Sequence, residues 1–198
     1  MREISPLVSD SAGFERLDEG KRNHRETIRS SANTTEPMMS KQPQTEKTDA
    51  DVTNTVRLHR VLATRPEKVY RAFLDADALA KWLPPNGFTC KVHQMDAKAG
   101  GTFKMSFKNF TTEKGHSFGG EYLELVPHEL IRYMDRFDDP NLPGTMHVTV
   151  ILNPVSVGTE INIEQSGIPA AIPVEACYLG WQQSLSQLAK LVEPDIRE

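Results

Sequence analysis

Few residues in this chain have the type and spacing for chemistry. Gly115-His116-Ser117-Phe118-Gly119 matches the G-x-S-x-G pattern of a nucleophile elbow, in which a strained strand-to-helix turn lifts a serine above a parallel sheet. The residues that follow, GEYLELV, read as a continuing strand, and the preceding TTEK reads as a hairpin tip. A serine in that setting lacks the helix and the oxyanion donors, so Ser117 is not expected to be a nucleophile. His24, His59, His93, His116, His128 and His147 form no i, i+4 pair and no cluster with Cys90 or Cys177. No metal site and no cofactor are therefore expected. The phosphate-cradling G-x-x-x-x-G-K-[ST] pattern does not occur. The sequons Asn33-Thr34-Thr35 and Asn109-Phe110-Thr111 have no meaning without secretion.

One strand places charge near a core. In LIRYMDRF, Leu130, Arg132, Met134 and Arg136 share one face, and Ile131, Tyr133, Asp135 and Phe137 the other. The second face is the more apolar, so Tyr133 and Asp135 are candidate inward polar groups, with Glu121 of the preceding strand a third. A buried carboxylate requires a partner. Asp135 is therefore read either as half of a structural ion pair or as a general base with a raised pKa.

The remaining candidates are apolar. Phe103, Met105 and Phe107 alternate with Lys104, Ser106 and Lys108, and Met146, Val148 and Val150 alternate in the same way further on. Trp181 and Leu185 face them from a helix. These side chains either fill a core or line a pocket. Apolar pockets of roughly 300–1,000 Å³ with few polar groups are the usual small-molecule sites, and methionine adapts to their irregular walls.

The elements that must position these residues follow from periodicity. TVRLHRVLAT reads as a strand. Thr64, with Pro66 and with Glu67 three residues on, predicts a capping-box helix start. Val69, Ala72 and Phe73 lie on one face of that helix, and DADALAKWL continues as a second short helix ending at Pro84-Pro85. FTCKVHQM, TFKMSFK, GGEYLELV, LIRYMDRF, MHVTVIL and TEINIEQ are closely spaced strands without helices between them, which predicts an antiparallel meander. Val174, Cys177, Trp181, Leu185, Leu188 and Val192 mark a helical face over about 19 residues, roughly 28 Å long. Trp82 is expected beside an entrance, because the short helix that carries it must cap one end of a curved sheet.

Composition bounds the setting. Twenty-three Lys and Arg against 27 Asp and Glu give the 198-residue chain a net charge of −4, which disfavours nucleic acid as a partner. No apolar run is long enough to span a membrane. Two cysteines make no disulfide framework, and the N-terminus has charges where a signal peptide needs an apolar stretch. A cytoplasmic protein, monomeric or weakly dimeric, is expected. Residues 1–51 are polar, with Phe14 the only aromatic, and are expected to be a disordered leader. Two variants of that reading are a partner-binding tail and a gene start at Met38 or Met39.

The order of elements and several segments resemble one family. ATRPEKVYRAFLDADALAKWLPP, AGGTFKMSF, GGEYLELVPHELI, GTEINIEQSGIP and GWQQSLSQLAKLVE resemble the START-like helix-grip (SRPBCC) superfamily. Within it they resemble the group named for the activator of heat-shock-protein-ninety ATPase. The resemblance covers about seventy per cent of the chain, and residues 52–194 are read as one such domain. It implies an α+β fold, a curved antiparallel sheet gripping the long C-terminal helix with a cavity between them. Family members often carry His at the position of Gln165 and Trp at that of Met134, which would change a cavity's size or polarity. The eukaryotic co-chaperone has an additional N-terminal domain with a tryptophan-rich contact motif. Here Trp82 and Trp181 are the only tryptophans, both inside the helix-grip region.

Three functions are compatible with these observations. The first is non-catalytic binding of a small hydrophobic molecule, with Trp82, Phe103, Met105, Phe107, Tyr133, Asp135, Val148, Trp181 and Leu185 as the candidate site. The second is a cyclase- or dehydratase-like enzyme, which needs a paired acid and base that the sequence does not display. The third is a chaperone-associated regulator, which the family name implies and which needs an exposed partner surface.

Overall fold

The computed structural model describes residues 54–196. The reading of residues 1–51 as a leader concerns residues outside that range. Strand β1 (Val56–Leu62) is followed by two short helices, α1 (Pro66–Leu74) and α2 (Ala76–Trp82). Six strands come next: β2 (Phe88–Met95), β3 (Thr102–Asn109), β4 (Gly115–Val126), β5 (Leu130–Phe137), β6 (Met146–Val155) and β7 (Gly158–Ser166). Helix α3 (Val174–Val192) closes the domain. The seven strands form one sheet in the order β1-β7-β6-β5-β4-β3-β2. Every neighbouring pair is antiparallel. The meander expected from short, unseparated strands is present, and the first strand returns to pair with the last.

Two irregularities bend this sheet. The register slips between Val92 and Gln94 where β2 meets β3, and between Tyr122 and Glu124 where β4 meets β5. An extra residue in one strand of a pair bends it and increases its twist. At Gly120 the strands approach so closely that a Cβ would stand 1.7 Å from the Met134 carbonyl oxygen. Glycine is required there by contact with backbone, and no side chain rises from β4 at that point.

The alternation read from sequence decides which face is inside. Phe103 and Met105 of β3, Met146, Val148 and Val150 of β6, and Ile161 and Ile163 of β7 are buried under the helices. On α3 the buried face is Trp181, Ser184, Leu185, Leu188, Ala189 and Val192. Val174 and Cys177, on the same stripe, are only half-buried. The C-terminal half of the helix thus packs into the core, and its N-terminal half lies over something else.

Two local expectations are corrected. The capping box does not form: the residue before α1 is Arg65, with no side-chain cap, and Pro66 opens the helix. The Thr64 carbonyl instead accepts a hydrogen bond from Thr159 Oγ1 at 2.7 Å, which ties the end of β1 to β7. The helix that does carry a side-chain cap is α2, where Asp75 Oδ1 accepts from the Ala78 amide at 2.8 Å. The second correction concerns Trp82. It is fully buried, its indole N–H donates to the Ala72 carbonyl at 2.8 Å and its ring meets Phe73 edge-on at 4.6 Å. A ring so enclosed joins α2 to α1 and does not stand at an entrance.

Candidate functional site

Between the bent half of the sheet and the N-terminal half of α3 lies a cavity of about 410 Å³. Strands β3, β4 and β5 supply most of one wall, and α3 supplies Ala176, Cys177, Gly180, Trp181 and Ser184 opposite them. Cys177, half-buried, faces this open volume. Gly180 contributes to that volume: a Cβ there would meet only Pro85 Cβ, at 4.0 Å. Glycine inside a helix costs about 1 kcal/mol relative to alanine. Gly180→Ala is accordingly expected to raise the thermal midpoint, with up to about 1 kcal/mol of added stability. A lowered midpoint would show that the helix cannot accept the methyl group.

The far side of the wall is held by α2 and the prolines after it. Ser184 Oγ donates to the Leu83 carbonyl at 2.6 Å, and Gln187 Nε2 donates to the Pro84 carbonyl. The Asn86 amide donates to Gln183 Oε1 at 3.0 Å. These bonds fix the segment Leu83–Asn86 against α3, and Leu83, Pro85 and Phe88 join the wall.

Aromatic rings dominate the lining. Phe103 lies 5.3 Å from Tyr122 and 5.6 Å from Tyr133, and Phe107 lies 5.0 Å from Phe118. His116 is surrounded by Phe88, Phe107, Phe118 and Phe137 at 5.4–6.4 Å. Burial lowers the pKa of this imidazole below its ordinary value, so it is neutral at pH 7. Phe88, Phe107, His116 and Phe137 are only half-buried.

The polar groups in this wall are few. Gln165 is 7 % exposed, and its amide oxygen accepts from Trp181 Nε1 at 2.7 Å and Cys177 Sγ at 3.2 Å. An indole nitrogen only donates, which fixes the amide with its oxygen toward α3. Its Nε2 then donates to the Met146 sulfur at 3.3 Å. Burial pushes the Cys177 thiol up to about 11, with the nearby Asp135 charge adding to the effect, so it stays a protonated donor. Tyr133 is likewise raised well above its ordinary value by burial, then by Asp135, Tyr122 and Cys177.

Asp135 differs from these. It is 7 % exposed, and among the described residues its Oδ1 is buried without a hydrogen-bond partner. Loss of water around the carboxylate raises its pKa to about 7. The structural ion pair read from the sequence is not formed by that oxygen. Arg132 bonds to Glu124 at 3.1 Å instead, and both side chains are half-exposed.

Of the sequence candidates, Phe103, Met105, Phe107, Tyr133, Asp135 and Trp181 come together on the cavity wall. Trp82, Val148 and Leu185 do not: each is buried in the core behind it. Glu121 is not inward. It stands opposite Met134 in register, on the sheet face with Lys104 and Arg136, and Met134 shares that face. Substitution at Met134 therefore does not reshape the cavity, whereas Gln165 lies in its wall. His116, Phe118 and Tyr122 were not identified as site residues from the sequence. Their common parity along β4 would have shown them, had the strand been started at Gly115 instead of Gly119. Ser117 lies within β4 opposite Ser106, in a regular ladder. Among the described residues no group of three or more His, Cys, Asp or Glu could hold a metal ion, and no helix is long and apolar enough to cross a membrane.

Solved structures share this architecture. A protein from Chromobacterium violaceum is 65 % identical, with 72 % of this chain and 99 % of that one covered and a TM-score of 0.71. Proteins from Nitrosomonas europaea (22 % identity, 71 % and 95 % covered, TM-score 0.59) and Mycobacterium smegmatis (17 %, 76 % and 97 %, TM-score 0.60) share the fold. No curated protein matches the chain. Residues 63–193 match the family described as Activator of Hsp90 ATPase homolog 1-like protein, a span from the end of β1 to the end of α3 that contains the whole cavity wall. With its seven-stranded curled sheet, long C-terminal helix and two short helices after the first strand, the chain belongs to that helix-grip family.

Proposed function

We propose that this protein binds a small apolar molecule in the cavity between the sheet and α3, and does not convert it chemically. The observation that carries the reading is the 410 Å³ space walled by phenylalanine, tyrosine and tryptophan, a size and composition typical of small-molecule sites. An unfilled apolar volume of this kind costs stability, and an occupant that restores contacts offsets that cost. The cyclase- or dehydratase-like alternative needs a general acid and a general base acting together. The wall holds one carboxylate, Asp135, and one imidazole, His116, whose ring is packed among phenylalanines. A chaperone-associated role draws its support from the family's name. A cytoplasmic location and a monomeric or weakly dimeric state complete the proposal.

The test uses Met105, which is 3 % exposed and lies in the wall. The wild type is expected to bind the neutral fluorescent dye N-phenylnaphthylamine, and Met105→Trp to lose that binding while melting near the wild-type temperature, because the indole enters empty volume. In a filled core the same substitution would overpack and cost about 1–3 kcal/mol. A strongly destabilised mutant together with a wild type that binds no dye would overturn the proposal.

A further inference from the structure

The cavity wall has one unmet polar demand. Asp135 Oδ1 is buried without a partner, and a desolvated acceptor left unsatisfied is costly. Two donors of the wall are committed elsewhere: Trp181 N–H and Cys177 S–H both point at Gln165 Oε1. The carboxylate borders the open volume, since Asp135 is one of the residues that line the cavity, and its register partner in β4 is Gly120. Its partner in β6 is Met146, and its same-face neighbours on β5 are Tyr133 and Phe137. None of these carries a positive charge, and among the described residues the cavity lining includes no lysine or arginine.

Resting on the binding function proposed above, we infer that the cavity takes an apolar molecule whose polar end is a cationic amine, with the ammonium on Asp135 Oδ1 and the apolar body against the aromatic wall. An ammonium supplies the missing donor as a charge-assisted hydrogen bond, stronger than a neutral one. Aromatic rings line the same wall, and a ring face that meets a desolvated cation adds attraction for it. An anionic amphiphile meets the opposite situation, with a carboxylate in the wall and no cation to receive its own.

The titratable groups around the carboxylate are Tyr133 on its own strand, Tyr122 and His116 on β4 and Cys177 on α3. Burial keeps both phenols and the thiol protonated above neutral pH and His116 neutral. Asp135 is thus the group whose charge changes near pH 7. An alkylamine stays cationic throughout that range, so its affinity should rise as pH increases through about 7 and then level off.

Displacement of N-phenylnaphthylamine from the full-length protein by phenylbutylamine, phenylbutanol and phenylbutyrate tests the inference. At pH 8 the amine is expected to bind about tenfold or more tightly than the alcohol, the difference between a charged and a neutral hydrogen bond, and the carboxylate most weakly. Asp135→Asn should remove the amine's advantage and leave the alcohol within about threefold of wild type, since an amide oxygen still accepts. Equal binding of amine and alcohol by the wild type, or an amine advantage that survives in Asp135→Asn, overturns the amine assignment alone. If Asp135→Asn loses the dye itself, the wild-type pH profile decides, and an amine affinity flat from about pH 5.5 to 8 overturns it. Failure of the wild type to bind the dye and all three probes overturns the binding function as well.

Discussion

Trp181→Ala is expected to lower the free energy of unfolding by about 3–5 kcal/mol, the range for truncating a buried tryptophan. Trp181 is 8 % exposed at the middle of α3, where the part of the helix packed in the core meets the part over the cavity. Truncation enlarges an existing space instead of leaving a tight hole that neighbours can fill. It also withdraws the indole donor from Gln165 Oε1 and leaves that buried amide oxygen to the Cys177 thiol. Against a domain stability of about 5–15 kcal/mol this is a large share. Gln182, the next residue, is exposed, and Gln182→Ala should stay within about 0.5 kcal/mol of wild type. Chemical denaturation of the pair checks the result; similar midpoints for the two variants would mean that the indole packs against less of the core than its burial indicates.

A second large effect concerns pH. The Asp135 carboxyl holds its proton up to about pH 7 in the folded chain and releases it near 3.9 when unfolded. Between those values the folded state binds more protons, so stability falls as pH rises. The contribution of this group is full below about pH 4, declines through the interval and is lost above about 7, a total on the order of 4 kcal/mol at about 1.36 kcal/mol per pH unit. Asp135→Asn removes the titration. Near pH 8 the variant should be more stable than wild type by up to about 4 kcal/mol, with the advantage shrinking toward pH 4. Unfolding curves measured across that range would contradict the assignment if wild type and variant ran parallel. Bound amine should flatten the wild-type curve by stabilising the ionised carboxylate.

The two effects differ in how far the sequence announces them. Trp181 is visible as one position in a stripe spaced by three and four residues, and a stripe of that period must face a core. Asp135 is visible as a charge on the apolar face of an alternating strand. Its lack of a partner is not visible, because that depends on where Arg132, Arg136 and Lys104 project. Arg132 goes to Glu124 and Lys104 pairs with Asp138, outside the cavity.

Local periodicity and composition determined much of this protein from the chain alone. The bounds of β2, β5 and α3, the antiparallel meander and the inward parity of Phe103, Met105, Tyr133 and Asp135 depend on the orientation of neighbouring side chains along one element. Other features were decided by contacts between residues far apart in sequence. Thr64 gives its carbonyl to Thr159, 95 residues away, and does not cap α1. Trp82 is sealed beneath Phe73 and Ala72, while Gln165, a polar residue in a strand near the C-terminus, forms the polar centre of the wall with Cys177 and Trp181. The cavity itself belongs to this second class. Its volume is the difference between the curvature set by the register slips at Val92–Gln94 and Tyr122–Glu124 and the side-chain bulk presented by α3 at Ala176, Cys177 and Gly180. Periodicity assigns each residue to a face, but only the distance between two faces determines whether the space between them is filled.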